Sequence, residues 1–327
     1  MPASEAPLHE SSFTLTRQGD ARQHSVSSNT IAPVFHQFSS FSIERMGVRL
    51  HARMGGQGAP ILLLHGHPQT HVMWHRVAPE LARRHTVVMM DLRGYGDSDR
   101  PVSDLSHAVY AKREMATDAV AVMKHCGFDH FQVLAHDRGA RVAHRLAADH
   151  PDAVQRLMLL DIAPTLAMYE NTSLAFATAY WHWFFLIQPP PLPEALIECD
   201  PVRYVRSVMG QRHAGLAAFA PEALAEYGRC AQIVGTAHSV CEDYRASVTI
   251  DLDLDHDRTD VAADRRLQQP LRVLWGEHGA VGQCFDVLDL WRGRADQVTG
   301  QAMPCGHYIA EEKPAALLIE ALNFFRS

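Results

Sequence analysis

The residues of this chain that could carry chemistry centre on one aspartate. It is the middle residue of the run Ala135-His136-Asp137-Arg138-Gly139. An apolar stretch at residues 131–134 predicts a buried strand before it, and residues 141–149 predict a helix after it. Small residues two positions before and two after the aspartate are what a sharp strand-to-helix bend requires. The pattern is typical of a nucleophile elbow that holds a carboxylate ionised at a helix N-terminus. The simpler interpretation is an aspartate that only caps the helix.

Strands and helices alternate along the chain around this bend. Strands are predicted at residues 42–45, 48–52, 61–64, 86–91, 131–134, 156–161 and 271–275, and helices at residues 74–84, 110–126, 141–149 and 315–325. Such alternation predicts an α/β fold, with a mostly parallel sheet, helices on both faces and a site at the carboxyl ends of the strands.

The pattern changes in the middle of the chain. Residues 166–250 contain helical stretches and no convincing buried strand, which predicts a helical cap inserted between two halves of one sheet. Residues 1–35 are predicted to be an N-terminal extension, because they are polar and show no period. The α/β core would then comprise residues 36–165 and 251–327.

Composition excludes some classes of partner and compartment. The formal net charge of −7 gives no reason to expect nucleic acid or an anionic membrane as a partner, and a small anionic substrate would need a locally basic pocket. The six cysteines form no CxxC pair, which favours reduced thiols and a cytoplasmic location. We find no stretch of transmembrane length and no secretory signal, so we expect a soluble protein.

Five motifs together give the chain a family resemblance. They are His65-Gly66-His67-Pro68-Gln69-Thr70, Asp91-Leu92-Arg93-Gly94-Tyr95-Gly96-Asp97-Ser98, His136-Asp137-Arg138-Gly139-Ala140-Arg141, Trp181-His182-Trp183 and Cys305-Gly306-His307. The chain resembles the α/β-hydrolase family, in particular its haloacid-degrading branch, the fluoroacetate (haloacetate) dehalogenases. The first two motifs mark the superfamily, whereas Asp-Arg-x-x-Arg with His-Trp is more specific. The resemblance implies cofactor-independent hydrolysis of short haloacids.

Three residues are candidates for the catalytic machinery. Asp137 would displace halide from an sp³ carbon and become an ester. His307, which follows the last predicted strand, would activate the water that hydrolyses this ester. Asp161 is the preferred acid to orient the histidine, as in the resembled dehalogenases, and Glu277 is the second choice.

Arginines and backbone amides are candidates for holding the substrate. Arg138 and Arg141 are three positions apart, so they can share one helix face and clamp a substrate carboxylate. The alternative for such a pair is a solvated surface. The backbone amides of His67 and Arg138 would form the oxyanion hole for ester hydrolysis.

Three side chains of the cap are candidates for the halide site. The resemblance implies that His182, Trp183 and a cap tyrosine donate hydrogen bonds to the departing halide, and Tyr244 is the best match for that tyrosine. The alternative is that these aromatic residues only form the core of the cap. Because fluoride is strongly hydrated, several convergent donors would be needed to replace its water.

We expect neither a metal nor a cofactor. His65, His67, His71 and His75 lie close together in the sequence, but no HExxH pattern is present, and no GxGxxG or Walker pattern indicates a nucleotide.

Two other functions use the same residues. An epoxide hydrolase would need cap tyrosines as acids, for which Tyr180 and Tyr244 are available, but the carboxylate clamp would be unexplained. A binding protein for small acids would keep the pocket without turnover. The family resemblance implies a homodimer, although the sequence itself shows no interface.

Overall fold

The computed structural model describes residues 35–253 and 257–325. The predicted N-terminal extension, apart from its last residue, lies outside the described residues. The strands are β1 Ser39–Arg45, β2 Val48–Gly56, β3 Ala59–Leu64, β4 His85–Met90, β5 Phe131–His136, β6 Val154–Leu160, β7 Leu271–Gly276 and β8 Val298–Met303. They form one eight-stranded sheet in the order β1-β2-β4-β3-β5-β6-β7-β8.

The sheet is mostly parallel, which confirms the predicted fold class. β1 pairs antiparallel with β2 and β2 pairs antiparallel with β4, while the other pairs are parallel. Every strand predicted from the sequence is present. β8 was not predicted, because its residues are mostly half-exposed or exposed and include Gly300, as suits an edge strand rather than a buried one.

Helices cover the sheet and fill the segment between β6 and β7. The described helices are α1 Ala78–Leu81, α2 Lys112–His125, α3 Asp137–Asp149, α4 Thr165–Glu170, α5 Leu174–Ala179, α6 Trp181–Leu186, α7 Leu192–Cys199, α8 Pro201–Gly210, α9 Pro221–Ala231, α10 Thr236–Val248, α11 Ile250–Asp253, α12 Asp257–Ala262, α13 Ala280–Cys284, α14 Val287–Arg292, α15 Ile309–Glu312 and α16 Pro314–Phe324. Among the residues described, no helix has both the length and the apolar character needed to span a membrane.

The helix predicted at residues 74–84 was wrong in its extent. The structure has a 3-10 turn at His71–Trp74 and then the short helix α1, in which Pro79 is near the start. Proline has no backbone N–H to donate, so a continuous helix through residue 79 would lose a hydrogen bond.

The two faces of the sheet form two separate hydrophobic cores. Leu62 and Leu64 point to the core that contains helices α2 and α3, whereas Ile61 and Leu63 point to the core that contains α1 and α16. This division follows from the alternation of side chains along a strand, and a strand that is buried on both faces reads as a continuous apolar run.

The segment between β6 and β7, here called the helical insertion, consists of α4 to α12 and one 3-10 turn within the described residues. The prediction that residues 166–250 are helical and lack strands is therefore confirmed. The limits proposed for the core and the cap as domains remain predictions.

The start of α3 lies very close to the end of β3. A Cβ atom placed on Gly139 would lie 2.3 Å from the carbonyl oxygen of His65, nearer than real Cβ atoms come. The third residue of α3 must therefore be glycine for the helix to leave the sheet at this angle. The sequence pattern predicted this need for a small residue two positions after Asp137.

We predict that Gly139→Ala lowers the free energy of unfolding by at least about 2 kcal/mol, because backbone must move to admit the methyl group. Thermal and denaturant unfolding measure this loss. Gly228→Ala in α9 is the matched control, since its Cβ would meet no atom closer than 3.5 Å. Equal stability of the Gly139→Ala variant and the parent protein would contradict the close approach.

Candidate active site

Asp137 stands at the bend between β5 and α3. Its backbone has φ +47°, in the left-handed region, and its side chain is buried. The backbone N–H of His67 donates to Asp137 Oδ1 over 2.9 Å. Asp137 Oδ2 lies 4.0 Å from His307 Nε2. One carboxylate oxygen is thus held by an amide, while the other faces the predicted base.

The surroundings keep Asp137 ionised. Burial by itself would raise the pKa of this carboxyl, but His307, His136, Arg138 and Arg141 act in the opposite direction and hold the pKa well below its usual range. Neither arginine forms an ion pair with Asp137 in the described part of the chain. The carboxylate is therefore charged but not neutralised by direct contact, which suits a nucleophile.

His307 and Asp161 form a close pair beside the nucleophile. His307 Nδ1 lies 2.5 Å from Asp161 Oδ2, and Asp161 Oδ1 accepts a hydrogen bond of 2.8 Å from the backbone N–H of Gly276. Asp161 follows β6 with φ +51°, so its side chain is turned back toward the histidine. Glu277 is exposed, and its backbone N–H bonds to Met303 instead. The structure thus pairs His307 with Asp161 rather than with Glu277.

Two further residues contact His307: His136, which sequence reasoning did not single out, and Tyr180, which it named only as a possible acid of an epoxide hydrolase. His136 Nε2 lies 3.0 Å from the carbonyl oxygen of His307, and burial lowers the pKa of His136 to about 4, so its ring is neutral at pH 7. The Tyr180 hydroxyl lies 3.4 Å from His307 Nδ1. His136 directly precedes the nucleophile, a position that could have drawn attention to it.

Arg138 is oriented by a carboxylate of the helical insertion. Its Nε donates to Asp243 Oδ2 over 2.9 Å and its Nη2 donates to Asp243 Oδ1 over 2.7 Å. Tyr95 and Lys112 bond to the same carboxylate. The Arg138 guanidinium also lies over the Tyr244 ring, with 4.1 Å between its Cζ and the ring centroid. Only Nη1 is buried without a partner among the described residues.

Arg141 is held differently and is also left with one free donor. Its Nη1 donates to Thr165 Oγ1 over 2.7 Å, and its guanidinium lies over the Trp183 ring at 4.6 Å. Its Nε is buried without a hydrogen-bond partner among the described residues. Each of these two guanidiniums therefore has one buried nitrogen without a hydrogen-bond partner in the described part of the chain. Burial and the charge of Arg138 lower the pKa of Arg141.

The three predicted halide donors meet on the side of the site formed by the insertion. The Tyr244 ring centroid lies 6.0 Å from that of His182 and 6.4 Å from that of Trp183. His182 Nδ1, Trp183 Nε1 and the Tyr244 hydroxyl are buried, and none has a partner in the described part of the chain. Burial raises the pKa of Tyr244, so its hydroxyl keeps its proton and can donate. A buried polar group without a hydrogen-bond partner costs free energy, and here three such groups lie close together.

One of the two amides predicted for the oxyanion hole contacts Asp137. The His67 amide already bonds to Asp137 Oδ1, the oxygen that would become the carbonyl of an ester. Burial lowers the pKa of the His67 side chain to about 3, so the ring is neutral. The role of the Arg138 amide, at the second position of α3, remains a prediction.

One trio of residues has the composition of a metal site. His51, His71 and Asp91 bring one possible ligand atom each within 4.8 Å of the others. However, His71 Nδ1 lies 2.9 Å from Asp91 Oδ1, while Arg53 Nε donates to His71 Nε2. Both ring nitrogens of His71 are thus used in hydrogen bonds, and a cation would have to break one of them.

The sheet and the site together define a class of protein. A nucleophile at an elbow after β5, a histidine after the last strand and an acid between them in the chain are the arrangement of α/β hydrolases. A family model described as the alpha/beta hydrolase fold matches residues 59–195. The chain belongs to the α/β-hydrolase family.

Individual relatives show which members of the family the chain is similar to. A fluoroacetate dehalogenase from Burkholderia sp is 41% identical over 298 residues, which are 90% of this chain and 97% of the relative. A soluble epoxide hydrolase from Corynebacterium sp. (strain C12) is 35% identical and covers 85% of this chain and 94% of the relative. The solved structure of ALR0039 from Nostoc sp PCC 7120, described as an α/β hydrolase, is 52% identical, with a TM-score of 0.86 over 89% of this chain and 98% of that one. The resemblance found in the motifs is confirmed.

A buried carboxyl group lies just behind the site. Glu311, in α15, accepts a hydrogen bond of 2.7 Å from the hydroxyl of Tyr227, which belongs to α9 of the insertion. Gln69, two residues after His67, lies 3.4 Å from the same oxygen through its Nε2. The other oxygen of Glu311 is buried without a hydrogen-bond partner among the described residues and lies 3.7 Å from His75 Nδ1. Burial raises the pKa of Glu311 to about 7.

This pKa makes stability depend on pH in a defined direction. Because the folded protein holds a proton on Glu311 that the unfolded chain releases above its ordinary pKa of about 4.5, stability decreases as the pH rises from there through 7. We predict that Glu311→Gln stabilises the protein more at pH 8 than at pH 5, by on the order of 2 kcal/mol. Denaturant unfolding at both pH values measures this difference.

The matched control is Glu198→Gln, which changes an exposed glutamate of α7. Its effect on stability should be the same at pH 5 and pH 8. A Glu311→Gln variant with no more pH dependence than this control would show that Glu311 ionises normally.

Proposed function

We propose that this protein is a hydrolytic dehalogenase of short haloacids, which converts a haloacetate and water to glycolate and halide through an ester on Asp137. The observation that carries the proposal is the composition of the site around Asp137. Arg138 lies over the Tyr244 ring and Arg141 over the Trp183 ring. Each guanidinium has one nitrogen, and each aromatic residue one N–H or O–H group, that is buried without a hydrogen-bond partner among the described residues. A haloacid matches this arrangement, because its carboxylate could bind the guanidiniums and its halogen, on the neighbouring carbon, could accept from the aromatic donors.

The first step is displacement of the halide. Arg138 Nη1 and Arg141 Nε would each donate to one oxygen of the substrate carboxylate, which fixes the neighbouring carbon near Asp137. Asp137 Oδ2 forms a bond to that carbon, and the carbon–halogen bond breaks with its electron pair leaving on the halide. His182, Trp183 and Tyr244 would donate to the departing ion in place of water, which matters most for fluoride.

The second step is hydrolysis of the ester. His307 takes a proton from water, whose oxygen attacks the carboxyl carbon of Asp137. Asp161 stabilises the protonated imidazole, and the His67 amide donates to the oxygen that becomes negative. Collapse releases the hydroxy acid and restores the carboxylate. The Burkholderia relative, a fluoroacetate dehalogenase, supports this substrate class.

An epoxide hydrolase is the second candidate, because the Corynebacterium relative has that activity in its name. Tyr244 and Tyr180 are both protonated, since burial raises their pKa values, and either could protonate an opening epoxide ring. The free N–H groups of Arg138 and Arg141 have no role in that reaction. Because only haloacid dehalogenation gives these N–H groups a role, it is favoured over epoxide hydrolysis.

The proposal is tested by halide release from fluoroacetate and chloroacetate, compared with diol formation from a simple epoxide. We predict halide release by the wild-type protein, none by Asp137→Asn, and an Asp137 peptide heavier by a glycolyl group in His307→Asn incubated with substrate. His130→Asn, at an exposed site just before β5, is the matched control and should behave as wild type. Diol formation without halide release would favour the epoxide hydrolase, and an unmodified Asp137 peptide would contradict the ester.

A further inference from the structure

A third arginine reaches the site from the helical insertion. Arg212 follows α8 by two residues and is only partly exposed. Its Cζ lies 4.4 Å from the centroid of the Tyr180 ring, and its Nη1 donates to the carbonyl oxygen of Ala179 over 3.1 Å. The hydroxyl of the same tyrosine contacts His307. Only one aromatic ring therefore separates this guanidinium from the predicted base.

Arg212 has no ion pair among the residues that the structure describes. Within residues 35–253 and 257–325, its Nε is buried without a hydrogen-bond partner and no carboxylate pairs with its guanidinium. Burial would lower the pKa of Arg212, but Tyr180, Tyr308, Asp137 and Asp161 outweigh it, so the pKa is raised and the group stays charged. The guanidinium is thus within electrostatic reach of the nucleophile without touching it.

Four other buried arginines are paired with acids. Arg93 bonds to Asp118, Arg138 to Asp243, Arg145 to Asp260 and Arg245 to Glu194. Arg141 and Arg212 are the two near the site for which the described residues supply no carboxylate. Because a desolvated cation is stabilised only by an anion or several acceptors, both are suited to an anion that comes with the substrate.

The two arginines pack on neighbouring rings of the site. Arg141 packs on Trp183, whereas Arg212 packs on Tyr180, whose ring centroid lies 5.6 Å from that of Trp183 and whose hydroxyl contacts His307. A single carboxylate held by Arg138 and Arg141 would leave Arg212 unused. A second carboxylate, on a branch from the reacting carbon, would give Arg212 a counter-ion.

We propose that Arg212 is a third substrate-binding arginine, which receives a second carboxylate, so that the site also accepts short 2-halodicarboxylic acids such as 2-chlorosuccinate. This inference rests on the proposed function. The chemistry is unchanged: Asp137 bonds to the carbon that carries the halogen, halide departs with the electron pair, and water cleaves the ester to give a 2-hydroxydicarboxylate.

The experiment compares acids of equal chain length with one or two carboxylates. 2-Chlorosuccinate is compared with 2-chlorobutyrate for kcat/KM of chloride release, and succinate with butyrate for binding by calorimetry. In the wild-type protein the diacid should be favoured by at least about tenfold in both assays, which is the effect of one charge-assisted hydrogen bond. Equal values for diacid and monoacid would overturn the proposal.

Three variants test whether the preference for the diacid is due to Arg212. Arg212→Met should reduce the diacid-to-monoacid ratio by about tenfold, and Arg212→Lys should retain part of it, because a charge remains without the planar fork. Arg206→Met removes an equivalent charge from an exposed position on α8 and should leave the ratio unchanged. A ratio that falls equally in Arg206→Met and Arg212→Met would assign the effect to net charge and contradict the proposal.

Failure of the proposed function is recognised separately. If the wild-type protein releases no halide from chloroacetate or from 2-chlorosuccinate, the dehalogenase assignment is wrong. Calorimetry with succinate and butyrate then still decides the role of Arg212, because it needs no turnover. Tighter binding of succinate that is lost in Arg212→Met supports the second anion site, and equal binding of the two acids refutes it. Circular dichroism of each variant verifies that it is folded.

Discussion

The site depends on a buried Asp137 carboxylate that stays ionised without a direct bond to an arginine. Moving a carboxylate out of water strongly favours its neutral form, and a directly bonded arginine would restore the charge but block the oxygen that must attack. Here the compensation is spread over an amide, a helix N-terminus, two histidines and two arginines that do not bond to the carboxylate. The elbow, with φ +47° at residue 137, makes this arrangement possible because it turns the side chain away from the sheet.

The helical insertion is bound to the core by the same electrostatics. Asp243, in α10, accepts from Arg138 of α3 and from Lys112 of α2, and these cations lower the pKa of its buried carboxyl against the effect of burial. Breaking such a pair typically costs about 3–5 kcal/mol, because one charge is left buried alone. The ion pair that attaches the insertion therefore also orients Arg138, whose Nη1 is buried without a hydrogen-bond partner among the described residues.

The sequence predicted the elements whose signal is local. The apolar runs and their alternation predicted the sheet, and the small residues around Asp137 predicted the bend that Gly139 makes possible. Asp161 and Glu277 could not be separated by position along the chain alone, because the choice depends on how the backbone after β6 turns, with Gly276 donating to Asp161. Asp243 was missed because it lies 105 residues from Arg138 in the sequence, with no local pattern to mark the pair.

The central claim is that an oxygen of Asp137 is transferred to the substrate, and one isotope experiment tests it directly. A single turnover of chloroacetate with excess enzyme is run in water labelled with oxygen-18, and both the product and the Asp137 peptide are weighed by mass spectrometry. The account predicts unlabelled glycolate and label in the Asp137 carboxyl, because water attacks the protein ester and not the substrate carbon. Labelled glycolate with an unlabelled Asp137 would show direct attack by water and contradict the account.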